Sequence, residues 1–278
     1  MVNWIYSALT GFVCGLCEPL PLSADAHRGL MRHFFGLESD SPLFLLMYHC
    51  AVLAVVLGAG RLELRSLHRT AKLLRSPKRR RAVHPNLNQA GTLLLLRQAL
   101  IPALIGRMLC LYFGFITDRL WMMAIALFLG GLLLWIPGLF RTANRDGRHL
   151  GAADGILLGL GALTGAVPGF SAVGGVLSLG SLRGFHRPYA LRIAWILLCA
   201  GLAAAIGVDL LTIAGVGFRF ELADILSALL GAVSAAVGAY VSLHAMRALC
   251  RPGRSGAGGF SFYNWGLALL CIALFLLV

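Results

Sequence analysis

Hydrophobic and polar positions alternate along this chain in long blocks rather than in short periods. Residues 42–60, 93–116, 120–139, 190–208, 222–243 and 263–278 are apolar runs, each near the roughly 20 residues that an α-helix needs to cross about 30 Å of hydrocarbon. Two more apolar stretches, 1–27 and 151–181, are interrupted, the first by Pro19 and Pro21 and the second by Pro168 and Gly169. Proline removes a backbone donor and breaks a helix, and broken backbone at membrane depth survives only where protein walls it off. The pattern therefore predicts an all-α polytopic membrane protein with about six spanning helices and two interrupted segments.

Composition agrees: 59% of the 278 residues are hydrophobic, 13% are charged, and the mean hydropathy is +0.82. The net charge of +13 falls in the loops between apolar runs, where it sets topology and meets anionic membrane lipid. No nucleic-acid recognition motif accompanies it, so nucleic acid is not an expected partner. The seven cysteines form no disulfide pattern and read as buried thiols. Cys14 and Cys17 make a C-x-x-C beside Glu18, which is half of a metal-ligand set at most. The first apolar run lacks a basic leader and reads as retained rather than cleaved.

Charge also orients the chain. Segment 61–81 carries nine Lys or Arg against Glu63 alone, which places a basic loop, 61–91, on the cytoplasmic side. Within it, Leu62, Leu67, Leu73 and Leu74 predict a short amphipathic helix lying on the membrane. Counting crossings from there puts the Asp118–Arg119 turn and the stretch from Asp209 to Glu221 outside. The loops with Arg141, Arg145 and Arg148, with Arg183 and Arg187, and with Arg247, Arg251 and Arg254 fall inside. Residues 151–181 then begin and end on the cytoplasmic side and must enter and return, turning near Pro168–Gly169. Residues 1–27 form the counterpart hairpin from the opposite face, and both termini lie outside. A re-entrant hairpin followed by three spans, twice in opposite sense, is an inverted-topology repeat. Its halves are 1–140 and 151–278 of a single membrane domain. A shift of 148 residues brings Gly11 onto Gly159, Ser23 onto Ser171 and Ala24 onto Ala172.

Ionisable groups are costly in hydrocarbon and mark sites with a task. Glu18, Asp25 and His27 are such groups in the first hairpin, and the polar Ser23 lies among them. Arg107 lies deep in the 93–116 run and Arg192 just inside the 190–208 run. Both are candidates to face the same cavity, Arg192 with the alternative of snorkelling to the interface. His49 reads as a neutral buried imidazole and Asp224 as an interfacial residue.

These residues resemble a known family. E-P-L-P-L-S-A-D-A-H (Glu18 to His27) and P-G-F-S-A-V-G-G (Pro168 to Gly175) look like the two signatures of the bacterial undecaprenyl pyrophosphate phosphatases, associated with bacitracin resistance. The resemblance runs the whole length, including Leu53-Ala54-Val55-Val56, Ile101-Pro102-Ala103 and Arg187-Pro188-Tyr189-Ala190. It implies a multi-pass plasma-membrane enzyme with two inverted repeats and two hairpins meeting at a cavity. Such an enzyme removes the terminal phosphate of the C55 isoprenyl diphosphate so that the carrier is recycled for cell-wall synthesis. Glu18 and His27 are then the catalytic candidates. Ser23, Ser171, Gly169, Arg107 and Arg192 are the substrate-binding candidates.

The signatures match in frame but differ in chemistry. The first of the family's two acidic or amide positions holds Cys14, and the family's phosphate-gripping arginine is replaced by Ala172. Losing such an arginine typically costs about 10³-fold in rate, so another cation must take its place. Arg107 and Arg192 are two options. The third is Mg²⁺ or Ca²⁺ on Glu18 and Asp25, where Asp25 would restore the second carboxylate missing at Cys14. The alternative function is a non-hydrolytic relative that binds or translocates a polyprenyl phosphate. Expected partners are a polyprenyl (di)phosphate, membrane lipid and, as an open case, a second copy of the chain.

Overall fold

The protein was described from a computed structural model covering residues 2–37, 40–75, 86–140, 144–151, 153–217, 221–251 and 258–277. The chain begins with α1 (Val2–Cys17) and α2 (Ala24–Phe35), followed by α3 (Pro42–Arg75), α4 (Leu87–Phe113) and α5 (Leu120–Trp135). A second short pair, α6 (Asp154–Leu163) and α7 (Ala172–Leu182), precedes α8 (Arg187–Val216), α9 (Leu222–Leu249) and α10 (Gly259–Leu277). Among the described residues, six helices are long and apolar enough to cross a membrane, and each falls on one of the six apolar runs. The protein is a multi-pass, all-α membrane protein.

Local chemistry sets where the short helices start. Ser23 has extended backbone and accepts from the Ala26 N–H, capping α2, and Ser171 does the same for the Gly174 N–H at the head of α7. Such caps satisfy donors that the first turn leaves without partners. α2 stops at Gly36, whose φ of 64° is the left-handed conformation usual at a helix C-terminus. Asp25 in its first turn and Arg32 and His33 in its last suit the helix dipole.

The basic stretch does not form a loop with its own surface helix. Residues 61–75 simply continue α3. Leu67 and Thr70 are buried there, and the Thr70 hydroxyl donates to Gln89 of α4 at 2.6 Å. Tertiary contact holds the helix beyond the apolar run, which hydropathy alone does not register. Residues 76–85, Arg141 and Arg254 lie outside the described residues.

The helices pair in two sets. α1 packs on α9 and α6 on α4; α9 also packs on α3, and α4 on α8; α3 meets α8, and α5 meets α10. Close approach depends on small residues, as in membrane bundles generally. A Cβ on Gly15 would fall 2.2 Å from the Ala235 carbonyl oxygen of α9, and one on Gly238 of α9 would fall 2.3 Å from the Phe12 carbonyl oxygen of α1.

At one end of the bundle, Asp154 fastens the loop before α6 to the turn after α7. Its carboxylate is fully buried. It accepts from the Gly151 N–H at 2.6 Å, Arg145 Nη2 at 2.8 Å and Arg183 Nε at 2.6 Å. Burial works against its charged form, yet these donors hold the carboxyl below the usual carboxylate range.

Two predictions test this packing. Gly15→Ala should cost about 1–3 kcal/mol because α1 and α9 must separate, read as a lower unfolding midpoint in detergent and denaturant; an unchanged midpoint would contradict the contact. Asp154→Asn should cost about 1–2 kcal/mol at neutral pH. The folded pKa is depressed, so the wild-type advantage is complete above the unfolded value of about 4 and is lost as pH falls through the lower folded value. Thermal unfolding of both proteins between pH 7 and pH 3 checks this, and an advantage that persists undiminished in acid refutes it.

Candidate functional site

The two short helix pairs meet tip to tip. The Gly169 N–H donates to Ser23 Oγ at 2.8 Å, and the Ser171 hydroxyl donates to the Leu20 carbonyl at 3.1 Å. Trp195 of α8 donates its indole N–H to the Pro19 carbonyl at 3.1 Å. Gly169 has φ of 110°, and a Cβ there would fall 2.5 Å from the Ala126 Cβ of α5, so only glycine fits.

A cavity of about 50 Å³ opens at this junction, lined by Glu18, Ser23, Asp25, Arg107, Ser171 and Ala172 and by apolar groups including Phe170, Leu198 and Leu202. The heads of α2 and α7 both border it, so two positive helix-dipole ends converge on one space, as in anion sites. Ser23 Oγ accepts from both the Ala26 and Gly169 N–H groups, which leaves its own O–H to donate. Ser171 differs, since its proton goes to Leu20.

A buried chain of charges runs beside the cavity. Asp25 Oδ1 meets Arg28 at 2.7 Å and its Oδ2 meets Arg107 at 3.3 Å, with the Cys110 thiol at 3.4 Å. The other terminal nitrogen of Arg107 lies 2.6 Å from His49 Nε2, and His49 Nδ1 lies 2.6 Å from Asp209. On the other side, Arg28 and Arg32 both approach Asp40, at 3.3 and 3.5 Å. A second cavity of about 200 Å³, lined by Arg28, His49, Cys110 and Asp209, shares Asp25 and Arg107 with the first.

Of the residues singled out from sequence, Glu18, Ser23, Asp25, Arg107 and Ser171 come together here. Three others lie outside the lining of the first cavity. His27 borders neither cavity; its ring sits 2.6 Å from the Ser23 carbonyl through Nδ1 and 2.7 Å from the Tyr263 hydroxyl through Nε2, and stacks on Tyr263. Asp25 and His27 are two residues apart, about 200° around a helix, so when one faces the cavity the other faces away. Gly169 spends its N–H on Ser23 rather than offering it to a ligand. Arg192 lies 3.5 Å from Glu63 and lines a separate cleft of about 400 Å³ with Trp195 and Arg247.

The residues do not fit a metal on Glu18 and Asp25. Both Asp25 oxygens face guanidinium groups, Glu18 accepts from the Tyr48 hydroxyl at 2.7 Å, and among the described residues no group of three His, Cys, Asp or Glu is placed to hold a metal ion. Asp209, Arg28, Asp40, Tyr48 and Tyr263 join these contacts without being singled out by the sequence. Asp209 and Arg28 are charges at or near the edges of apolar segments, the one signal that points to them.

Residues 7–270 match the model of a family described as bacitracin resistance protein BacA. Among curated proteins, the chain is 28% identical over its whole length to an undecaprenyl-diphosphatase of Rubrobacter xylanophilus, covering all of both chains. It is 31% identical over 225 residues to one of Synechococcus elongatus, covering 78% of this chain and 72% of the other. It is also 25% identical to one of Carboxydothermus hydrogenoformans, covering 98% of each. With a cavity built from both signature segments and a family match over nearly all its length, this chain belongs to the BacA bacitracin resistance family.

Proposed function

We propose that this protein hydrolyses undecaprenyl diphosphate to the monophosphate and orthophosphate, recycling the lipid carrier for cell-wall synthesis. Family membership supports the reaction, and one observation carries the chemistry: Arg107 borders the same cavity as Ala172, the position where the resemblance calls for a phosphate-binding arginine. Arg107 supplies that cation from a different helix. Phosphoryl transfer is driven by positioning and by stabilising charge on the equatorial oxygens, and a guanidinium does this through paired N–H donors.

In this reading the terminal phosphate sits between the heads of α2 and α7, held by Arg107 and the Ser23 O–H. Glu18 takes a proton from water as the water oxygen attacks the terminal phosphorus. The bridging P–O bond breaks and its electron pair stays on the lipid phosphate. His27 acts through Ser23, whose carbonyl it grips, and is a positioning residue rather than the base. The cavity is small, about 50 Å³, and Arg107 is engaged by Asp25 at 3.3 Å, so in this reading substrate entry exchanges Asp25 for phosphate on Arg107. All these residues come from one chain, and a homodimer is not needed to complete the site.

The same reading includes an inverted repeat with halves 1–140 and 151–278. Its support is the helix pairing, in which α1 on α9 matches α6 on α4, and α3 on α9 matches α8 on α4. The two serine caps 148 residues apart support it too. The basic end of α3 then lies on the cytoplasmic side and the Asp209 end of α8 outside.

Phosphate release from C55 diphosphate by the purified protein, with and without chelator, tests the function. Wild type should be active; no release under any metal condition would overturn the hydrolase reading. Arg107→Ala should lower kcat/KM by about 10³-fold, and adding Ala172→Arg to that variant should restore part of the loss. Full activity in Arg107→Ala would refute the compensation. Asp25→Ala should destabilise the fold by roughly 3 kcal/mol, because it strips one partner from each of two largely buried guanidinium groups. An unfolding midpoint equal to wild type would contradict the pairing.

A further inference from the structure

Arg107 is held by a group that the reaction itself does not require. A guanidinium has only donors, so the 2.6 Å contact between Arg107 and His49 Nε2 requires that nitrogen to be an acceptor. His49 is then neutral, its proton sits on Nδ1, and that N–H donates to Asp209 at 2.6 Å. The chemistry of Arg107 thus assigns the tautomer, and Asp209 fixes it from the far side, as a carboxylate commonly orients an imidazole.

We infer that His49 and Asp209 form a positioning relay for Arg107: Asp209 holds His49 in the Nδ1–H tautomer, and His49 holds one end of the guanidinium while the other end trades Asp25 for a phosphate oxygen. The inference rests on the proposed role of Arg107. The relay explains how an arginine can leave a carboxylate without losing its place. Arg107 borders both cavities, and the His49 contact is the pivot between them. His49 comes from α3, Arg107 from α4 and Asp209 from α8, so the pivot is braced by three long helices.

The relay makes acid inhibitory. Protonated His49 has no lone pair to offer and sets a positive charge against Arg107. The groups facing His49 decide where this happens. Asp209 from α8 favours the imidazolium and Arg107 from α4 opposes it. Asp25 and Arg28 of α2 and Cys110 of α4 border the same cavity, the Tyr48 ring lies tilted against His49 at 4.6 Å, and Glu18, between α1 and α2, accepts from the Tyr48 hydroxyl.

The test uses the full-length protein in detergent. ¹⁵N-histidine spectra at pH 7, with His49 identified by its loss in His49→Gln, should show a protonated Nδ1 and an unprotonated Nε2 that shifts in Arg107→Ala. An Nε2–H tautomer overturns the relay. In kinetics, His49→Leu should lower kcat/KM roughly 10- to 100-fold. His49→Gln, which can still accept from Arg107, should recover most of that and remove the His49 contribution to the acid limb, leaving only that of the Glu18 base. Asp209→Asn, which keeps an acceptor but removes the charge, should move the acid limb to lower pH. Folded variants with wild-type kcat/KM and an unmoved acid limb would refute the relay. If wild type releases no phosphate, the hydrolase reading fails by itself. The relay is then judged by the tautomer and by affinity for C55 diphosphate, which should fall in His49→Leu and recover in His49→Gln.

Discussion

Two helices that stop inside an apolar bundle leave backbone donors and acceptors with no water to satisfy them, and everything distinctive here follows from how those ends are met. Ser23 accepts the Gly169 N–H from the opposite turn as well as the Ala26 N–H of its own helix, while Ser171 donates across to Leu20. The junction is not symmetric, for a definite reason. The position 148 residues before Gly169 is Pro21, which has no N–H, so Ser171 cannot receive the bond that Ser23 receives. Its proton is committed to a carbonyl, and the Ser23 proton is left for a ligand. One proline thereby gives the two serines different chemistry.

The second constraint is charge. Asp25 lines the cavity in which the proposed function places a diphosphate, and a lone carboxylate there would be repulsive. The structure answers with two guanidinium groups on the same carboxylate. The loss of an arginine at Ala172 and the presence of Asp25 and Arg107 therefore read as one arrangement. In the proposed function, an arginine stored on a carboxylate in the resting protein is released to phosphate when substrate enters. Buried pairs of this kind contribute little net stability but leave a costly charge when one member is removed, which suits a switch better than a brace.

The spans were legible because length and hydropathy alone decide what can cross a bilayer, and the two breaks were legible because Pro19, Pro21 and Pro168 forbid continuous helix. The junction was legible only as far as the two signature segments could be expected to meet. What could not be read were partners brought together by packing: His49 with Asp209 across 160 residues, and His27 with Tyr263 across 236. Resemblance gave His27 its place in the segment but not its direction. Helical geometry turns it away once Asp25 faces the cavity. Arg192 ends beside Glu63 rather than in the lining of the cavity. Charge pattern alone predicts a loop for the basic stretch, since it says nothing of the contacts from Leu67 and Thr70 that keep residues 61–75 helical.

The claim on which the account turns is that phosphate is bound between the heads of α2 and α7 by an arginine that leaves Asp25. A high-resolution structure of the protein with a methylene-bridged C55 diphosphate analogue tests it most directly. The account predicts the terminal phosphate within hydrogen-bond distance of Ser23 Oγ and Arg107, with Arg107 parted from Asp25 and still in contact with His49. A phosphate bound away from both helix heads, with the Arg107–Asp25 pair intact, would contradict it.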